Sequence, residues 1–272
     1  MYDITVKDDS VMENELIRLA QEHPSEGFWK AYHRLRLAGR GWNHKHVHRV
    51  YKALGLSIRR KRKRRLPERP KTHLEAPLLP DRTWSMDFME DRLLNGRKVR
   101  CLNVLDDFNR EALHVEIDHS LKSSRVIWVL NRLMKKRSMP ERIRMDNGPE
   151  YIANMIQDWA LGHGIHFSYI QPGKPTQNAY VERYNGSFRR GVLDAFEFET
   201  LDQVRQQAWI WIDDYNNHRP HDSLGDMPPT MYARKVLSEG ARPLGENLDQ
   251  NNNRSPEPTT STQQPITQNL YF

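Results

Sequence analysis

Three acidic residues stand in settings where a carboxylate could bind a metal ion. Asp87 lies in a strand-like run, and Asp146 closes a second such run just before a turn signal. Glu182 is the one acid among the basic and amide side chains of residues 171–190, a loop that runs into an amphipathic helix. Hard divalent cations such as Mg²⁺ take oxygen ligands, usually from a few carboxylates. The sequence therefore predicts a divalent-cation site at Asp87, Asp146 and Glu182.

Other acids compete for these positions, and each acid has an ordinary alternative role. A single aspartate at a strand end is often a turn or capping residue, and a single glutamate on a helix is often only solvated. Asp106 and Asp107 compete with Asp87, and Glu150 competes with Asp146. We interpret these competitors as residues that cap turns or support the metal ligands.

The spacing of the acids carries a family signature. Thirty-five residues separate Asp146 from Glu182, and Arg189 follows seven residues later, two helical turns along the same face. With Asp87, this pattern resembles the catalytic core of the DDE transposase and retroviral integrase superfamily over residues 83–219. More narrowly, four stretches are similar to the second-frame (OrfB-type) product of bacterial insertion sequences: DNGPE (146–150), QPGKPTQNA (171–179), ERYN (182–185) and YNNHRPH (215–221).

The resemblance implies a reaction and its cofactor. Family members hold two Mg²⁺ ions, for which Mn²⁺ is an expected substitute. Asp87 would bridge the ions, with Asp146 and Glu182 each completing the coordination of one. Water then releases a 3′-hydroxyl at the end of the mobile element, and that hydroxyl attacks another phosphodiester. The implied partners are terminal-repeat and target DNA, a second copy of the chain because an element has two ends, and the first-frame (OrfA) product.

Residue patterns predict an α/β core. Three strand-like runs, a helix, a strand ending at Asp146, a helix over residues 150–161, a strand over residues 165–170 and the Glu182 helix give the order βββαβαβα. The family has a ribonuclease H-like fold, a mixed five-stranded sheet with helices. In that fold the first and fourth strands are neighbours, which would bring Asp87 next to Asp146. A further helix is predicted over residues 201–217.

The first 58 residues predict three short helices, the third capped by Asn43. They favour a helix-turn-helix unit that would present Lys45, His48 and Arg49 to a DNA groove. The alternative is a set of helices that only pack together. His44 and His48 are four residues apart, as in some zinc sites, but the cysteine ligands common in structural zinc sites are missing, so we favour DNA-facing or solvated histidines.

Basic residues predict the path of the DNA. Seven consecutive cations repel one another and favour an extended arm along phosphates, although a solvated linker has the same composition. The loop before the Glu182 helix suits a flap that meets the DNA strand, its alternative being a plain connection. Arg189, with Arg183 and Arg190, is predicted to line the DNA path; the alternative for Arg189 is a long-range pair with Glu182. The predicted contacts in these two regions are Arg59, Arg60, Lys61, Arg62, Lys63, Arg64, Arg65, Lys174, Gln177, Asn178, Arg183, Arg189 and Arg190.

Composition bounds the remaining questions. The net charge of +7 favours a polyanionic partner, and a single cysteine excludes an internal disulfide framework. No membrane span or signal peptide is recognisable, so we expect a cytoplasmic, nucleoid-associated protein. The expected organisation is a helical DNA-binding domain (1–58), a basic arm and Pro-rich linker (59–81), the catalytic core with C-terminal helices (82–237), and a disordered tail that ends in what looks like the remnant of a purification tag (238–272).

Two rival functions remain at this point. The chain could be a catalytically silent DNA-binding regulator of transposition, or a ribonuclease H-like nuclease acting on RNA–DNA hybrids. The three acids disfavour the first rival, and the basic helical arm together with the basic residue after Glu182 disfavours the second.

Overall fold

The structure, a computed structural model, describes residues 8–58, 74, 76–148, 153–171 and 175–240. The predicted basic arm at residues 59–65, the competitor Glu150, Lys174 and the predicted tail after residue 240 lie outside this part of the chain.

The chain begins with three helices: α1 (Ser10–Glu22), α2 (Phe28–Leu37) and α3 (His44–Ala53). Their apolar faces meet in one small core that includes Leu16, Leu35, Val47 and Tyr51. The Asn43 side chain accepts a hydrogen bond from the Lys45 backbone N–H at 2.9 Å, so the predicted N-cap is confirmed. Helix α1 begins at Ser10, and Met12 near its start is also buried in this core.

The centre of the protein is a five-stranded sheet of β1 (Thr83–Arg92), β2 (Lys98–Asp106), β3 (Ala112–Asp118), β4 (Arg142–Met145) and β5 (His166–Tyr169). The strand order is β3-β2-β1-β4-β5. Strands β1, β2 and β3 pair antiparallel, whereas β4 pairs parallel with both β1 and β5. The predicted mixed sheet and the adjacency of the first and fourth strands are confirmed.

Helices cover both faces of the sheet. Helices α4 (Ser123–Met134) and α5 (Asn154–Gly162) pack on one face. Helices α6 (Ala179–Phe188) and α7 (Leu201–Asn217) pack on the other. A last helix, α8 (Pro229–Glu239), was not predicted individually. No helix in the described ranges is long and apolar enough to cross a bilayer.

Helix α8 is held by the turn that follows β2. Phe108 in that turn packs with Leu224, Tyr232 and Val236 in a separate small cluster. The ring centroids of Phe108 and Tyr232 are 5.7 Å apart. This cluster fixes the chain after α7 against the sheet edge.

A buried ion network joins the N-terminal helices to the core. The Arg34 guanidinium on α2 donates to Glu26 (Nε to Oε2, 2.8 Å) and to Asp214 on α7 (Nη2 to Oδ2, 2.6 Å). Arg219 lies 3.0 Å from the other Glu26 oxygen. Two guanidinium groups therefore neutralise two carboxylates that would be costly to bury alone.

The same junction gives a structural role to the YNNHRPH stretch. Lys30 Nζ on α2 donates to the Pro220 carbonyl oxygen at 2.7 Å. The buried His221 ring contacts the Tyr215 carbonyl oxygen at 3.2 Å. The stretch thus forms much of the surface on which the N-terminal helices sit.

Candidate active site

Strands β1 and β4 place Asp87 and Asp146 on the same face of the sheet. Ser85 and Arg144 form the last pair of the parallel β1–β4 ladder. Asp87 lies two residues after Ser85, and Asp146 lies two residues after Arg144. Side chains alternate between faces along a strand, so Asp87 points to the same side as Ser85, and Asp146 continues the alternation from Arg144. Both carboxylates therefore face the side that α6 covers.

Helix α6 brings the third acid to this place. Tyr184 and Phe188 anchor the helix in the core against the sheet. Glu182 is exposed at its first turn, and Asn185, three residues later, is buried below it. The Asn185 side chain donates from Nδ2 to Asp87 Oδ2 at 2.7 Å, so this face of α6 lies directly over Asp87.

Asp87 is the electrostatic centre of the group. Burial, then the negative charge of Asp146 and then that of Glu182, raise the pKa of Asp87 to about 7. Hydrogen bonds from the Phe88 backbone N–H at 2.9 Å and from Asn185 act in the opposite direction. Burial also raises the pKa of Glu182. The structure thus brings the three predicted acids together in a site with an excess of negative charge.

The carboxylate oxygens of the three acids do not all lie within 4.8 Å of one another. Among the described residues, only His23, Glu26 and Asp214 have possible ligand atoms that all lie within 4.8 Å of one another. Arg34 and Arg219 already neutralise the two carboxylates of that group. The Asp87, Asp146 and Glu182 set consists only of hard oxygen donors and carries no ion pair in the described region. This donor chemistry fits Mg²⁺ or Mn²⁺.

Two amides that position Asp87 were not identified from the sequence. Asn103 lies directly opposite Asp87 in the β1–β2 ladder and is fully buried. Its Nδ2 donates to Asn185 Oδ1 at 2.6 Å, and Asn185 in turn donates to Asp87. Asn185 could have been found from its helical spacing to Glu182, whereas Asn103 required knowledge of the strand pairing.

The competing acids of the β2 turn have other partners. Asp106 accepts hydrogen bonds from the backbone N–H groups of Asp81 (2.8 Å) and Phe108 (2.9 Å), and burial raises its pKa to about 7. Asp107 accepts from the Ser85 hydroxyl and from Arg144 at 2.6 Å. These contacts agree with the interpretation of both residues as structural.

The predicted DNA contacts on α3 differ in their surroundings. Lys45 is exposed. The half-buried His48 ring packs edge-on against Phe28, with centroids 4.6 Å apart. Arg49 pairs with Asp9 at 2.9 Å, although its side chain remains 69% exposed. The surface of α3 therefore offers Lys45 and Arg49 to a partner, while His48 also stabilises the bundle.

The described end of the predicted flap is tied to the core. Gln177 accepts a hydrogen bond from the Gln171 backbone N–H at 2.8 Å. Asn178 is buried, and its amide lies 3.3 Å from the Met86 carbonyl oxygen on β1. This position favours a role for Asn178 in holding α6 beside the acids.

The three arginines on and after α6 do not share one face. Arg183 and Arg190 are exposed. Helix α6 ends at Phe188 and continues as a π-helical turn over Arg189–Leu193, while the Arg189 backbone N–H still donates to the Asn185 carbonyl oxygen as in an α-helix. Arg189 donates to the Glu90 carbonyl oxygen at 2.8 Å; its ion-pair partners in the described region are aspartates, so the long-range pair with Glu182 is not formed.

Comparison with known proteins agrees with this geometry. Two overlapping stretches, residues 77–175 and 163–229, match family models described as integrase core domains. An insertion element IS407 protein of Burkholderia multivorans is 38% identical over 84% of this chain and 82% of its own length. An insertion element IS476 protein of Xanthomonas euvesicatoria is also 38% identical, over 83% of this chain and 65% of its own length. The putative transposase InsK of IS150 from Escherichia coli is 27% identical over 73% of this chain.

A solved structure agrees at the level of the fold. A chain of the simian T-cell lymphotropic virus intasome, determined in complex with PP2A regulatory subunit B56 gamma, superimposes with a TM-score of 0.52 at 17% identity. The match covers 93% of this chain and 80% of that chain. The sheet with its flanking helices is thus a ribonuclease H-like core. This chain belongs to the bacterial insertion-sequence transposases, within the superfamily of DDE transposases and retroviral integrases.

Proposed function

We propose that this chain cleaves DNA at the ends of an insertion element and joins the released 3′-hydroxyl to target DNA. The observation that carries the proposal is the convergence of three acids on one face of the sheet, where Asp146 and Glu182 both raise the pKa of Asp87. In the first step the oxygen of water bonds to phosphorus and the bond to the 3′ oxygen breaks. In the second step that 3′ oxygen bonds to a target phosphorus, and one phosphodiester bond replaces another.

Asp87, Asp146 and Glu182 are the proposed catalytic residues and metal ligands. Bound Mg²⁺ ions would supply nucleophile activation and charge neutralisation there. Asn185 and the Phe88 N–H orient the Asp87 carboxylate. A carboxylate holds a cation in its ionised form, and burial and the neighbouring acids raise the pKa of Asp87 to about 7, so a bound cation competes with a proton there.

Exposed cations on α3 and near the acids would hold the DNA. Lys45 and Arg49 on α3, together with Arg183 and Arg190 near the site, are accessible for phosphate contacts. The seven basic residues 59–65 would add further phosphate contacts. In this arrangement residues 1–58 bind DNA, residues 59–81 link, residues 82–237 catalyse, and residues 238–272 form a tail.

The reaction requires more than one chain. An element has two ends, so the smallest active assembly is a dimer on DNA. The first-frame product of the same element is a further proposed partner for end recognition. Since the substrate is bacterial DNA, we place the protein with the nucleoid in the cytoplasm.

A strand-transfer assay tests the proposal. The full chain is incubated with pre-cleaved terminal DNA, a target plasmid and Mg²⁺, with D87N, D146N and E182Q as variants. Each variant should reduce joined product at least a thousandfold while binding terminal DNA within about threefold of the parent. D158N, which removes an exposed acid on α5, should join normally. Normal joining by any of the three variants would refute the site.

The same assay separates the rival functions. Binding of terminal DNA without joined product from the parent chain would identify a regulator. Degradation of an RNA–DNA hybrid without strand transfer would identify a ribonuclease.

A further inference from the structure

A second site lies beside the acids, on the neighbouring face of α6. A cleft of roughly 500 Å³ opens between α6, the turn after β2 and the loop after α7, and α2 closes it from the N-terminal side. Four cations line it; Lys30 and Arg183 share the lining acid Asp222, and Arg219 is paired with Glu26. The cations are Lys30, Arg110, Arg183 and Arg219. A cleft of this volume can hold one nucleotide.

Arg110 is held in this cleft at a conformational cost. Its backbone φ is +63°, in the left-handed region that bulky residues rarely adopt. The guanidinium lies over the Tyr180 ring, 3.4 Å from its centroid, and Nη1 donates to the Phe108 carbonyl oxygen at 3.3 Å. The buried Nε has no hydrogen-bond partner, and Arg110 forms no ion pair with any described residue. The charge of Asp107 acts on Arg110, but that carboxylate is paired with Arg144. A largely desolvated cation with no carboxylate of its own favours binding of an anion from outside the chain.

Tyr184 gives an independent indication of a ligand. Its side chain lines the cleft and is only 2% exposed, yet its hydroxyl has no hydrogen-bond partner. Buried hydroxyl groups are nearly always satisfied, so an orphan one calls for a partner that the free chain lacks. Tyr180 lies four residues earlier on the same face of α6. Arg110 and Tyr184 both line the cleft, and a ligand there with hydrogen-bond acceptors would supply the partners that they lack.

The cleft lies next to the proposed catalytic acids, where a bound DNA strand would pass. Arg183 at its edge directly follows Glu182 along α6. The stacked Arg110–Tyr180 pair and the Tyr184 ring also offer planar surface next to the cations. A nucleotide combines a phosphate with a planar base, which matches this lining.

We propose that this cleft binds one nucleotide of the DNA strand flanking the scissile position, with Arg110 and Tyr184 contacting its phosphate. The proposal rests on the proposed function for its substrate, but its test does not depend on catalysis. The recognised chemistry is a phosphate ester. A DNA strand and a free nucleotide both carry one, and the experiment distinguishes them.

Binding is measured with the full chain in EDTA, so that the metal site is silent. The probe is a fluorescent single-stranded decanucleotide followed by anisotropy. R110Q should weaken binding at least fivefold. Y184F should weaken it two- to fivefold while its melting temperature stays equal or rises, since it removes an unsatisfied hydroxyl. R132Q, which removes an exposed cation on α4, and Y51F, in the N-terminal helices, should bind within 1.5-fold of the parent.

Cross-linking locates the strand directly. A decanucleotide carrying 5-iododeoxyuridine should cross-link to the peptide that contains Tyr180 and Tyr184, and Y184F should reduce the yield at least twofold. Unchanged binding and cross-linking in a folded Y184F variant overturn the proposal, even where R110Q fails to fold. Displacement of the decanucleotide by dAMP or inorganic phosphate at an equal concentration would also overturn the proposal, because the cleft would then bind free phosphate compounds as well as a DNA strand. Binding and cross-linking in EDTA do not depend on strand transfer. Failure of the proposed cleft and failure of the proposed catalytic site are therefore recognised in separate experiments.

Discussion

Replacement of Asp87 by asparagine should abolish activity and yet stabilise the metal-free fold. Burial and the neighbouring acids raise the pKa of Asp87 from 3.8 to about 7. At about 1.4 kcal/mol per pKa unit, the charged form of Asp87 costs the folded state up to about 4 kcal/mol at alkaline pH. Asparagine removes the charge but weakens the hydrogen bonds from Phe88 and Asn185, so we expect a net gain of about 2 kcal/mol.

The effect has a defined dependence on pH. The folded-state pKa of Asp87 lies above its unfolded value, so ionisation penalises the fold. That penalty is absent below pH 3.8, grows as the pH rises, and is complete above pH 7. The stabilisation by D87N should therefore be large at pH 8 and small at pH 5.

Urea denaturation in EDTA at pH 5 and pH 8 measures this difference. Added Mg²⁺ should stabilise the parent at pH 8 and leave D87N unchanged. D158N serves as the control, because it removes an exposed acid and should shift the free energy of unfolding by less than about 0.5 kcal/mol. A D87N variant that is less stable than the parent at pH 8 in EDTA would refute the electrostatic account of the site.

Three further predictions follow from the same geometry. Asn185→Ala should lower strand transfer ten- to a hundredfold while binding of DNA ends stays within twofold of the parent. Because the Asn185 amide lowers the pKa of Asp87, its loss should also raise the pH at which metal binds. An unchanged pH profile of metal binding would argue against this positioning role. Mg²⁺ affinity of the parent, measured by calorimetry, should rise about tenfold per pH unit below pH 7 and level off above it; a flat profile would contradict the Asp87 assignment. Gly191→Ala should destabilise the fold by about 1–3 kcal/mol in thermal unfolding, since an added methyl would collide with Trp211. Gly186→Ala is the control: its methyl group would meet only the end of the flexible Arg190 side chain, so it should not destabilise the fold.

The elements around the acids could be predicted because their signals are local. Alternating apolar residues gave the strands, and the periodic apolar face of residues 201–217 predicted the bounds of α7. The pairing of β1 with β4 was expected only from the family resemblance, because residue spacing does not reveal which strands are neighbours. The structure confirms that pairing and thereby brings Asp87 and Asp146 together.

What the sequence could not reveal depends on contacts between distant residues. Arg34 and Asp214 are 180 positions apart, and each alone resembles an ordinary helix-surface charge. The Asn103–Asn185–Asp87 chain of hydrogen bonds requires the β1–β2 register. The π-helical turn after α6 and the pairing of Arg189 with Asp91 and Asp194 also depend on contacts that no local pattern reveals.

The most direct test of the shared metal site is anomalous diffraction from crystals of the full chain bound to terminal DNA and soaked in Mn²⁺. Two manganese peaks should be found, both bound to Asp87, with one also bound to Asp146 and the other to Glu182. Manganese bound only at His23, Glu26 and Asp214, or no peak in contact with Asp87, would contradict the central claim.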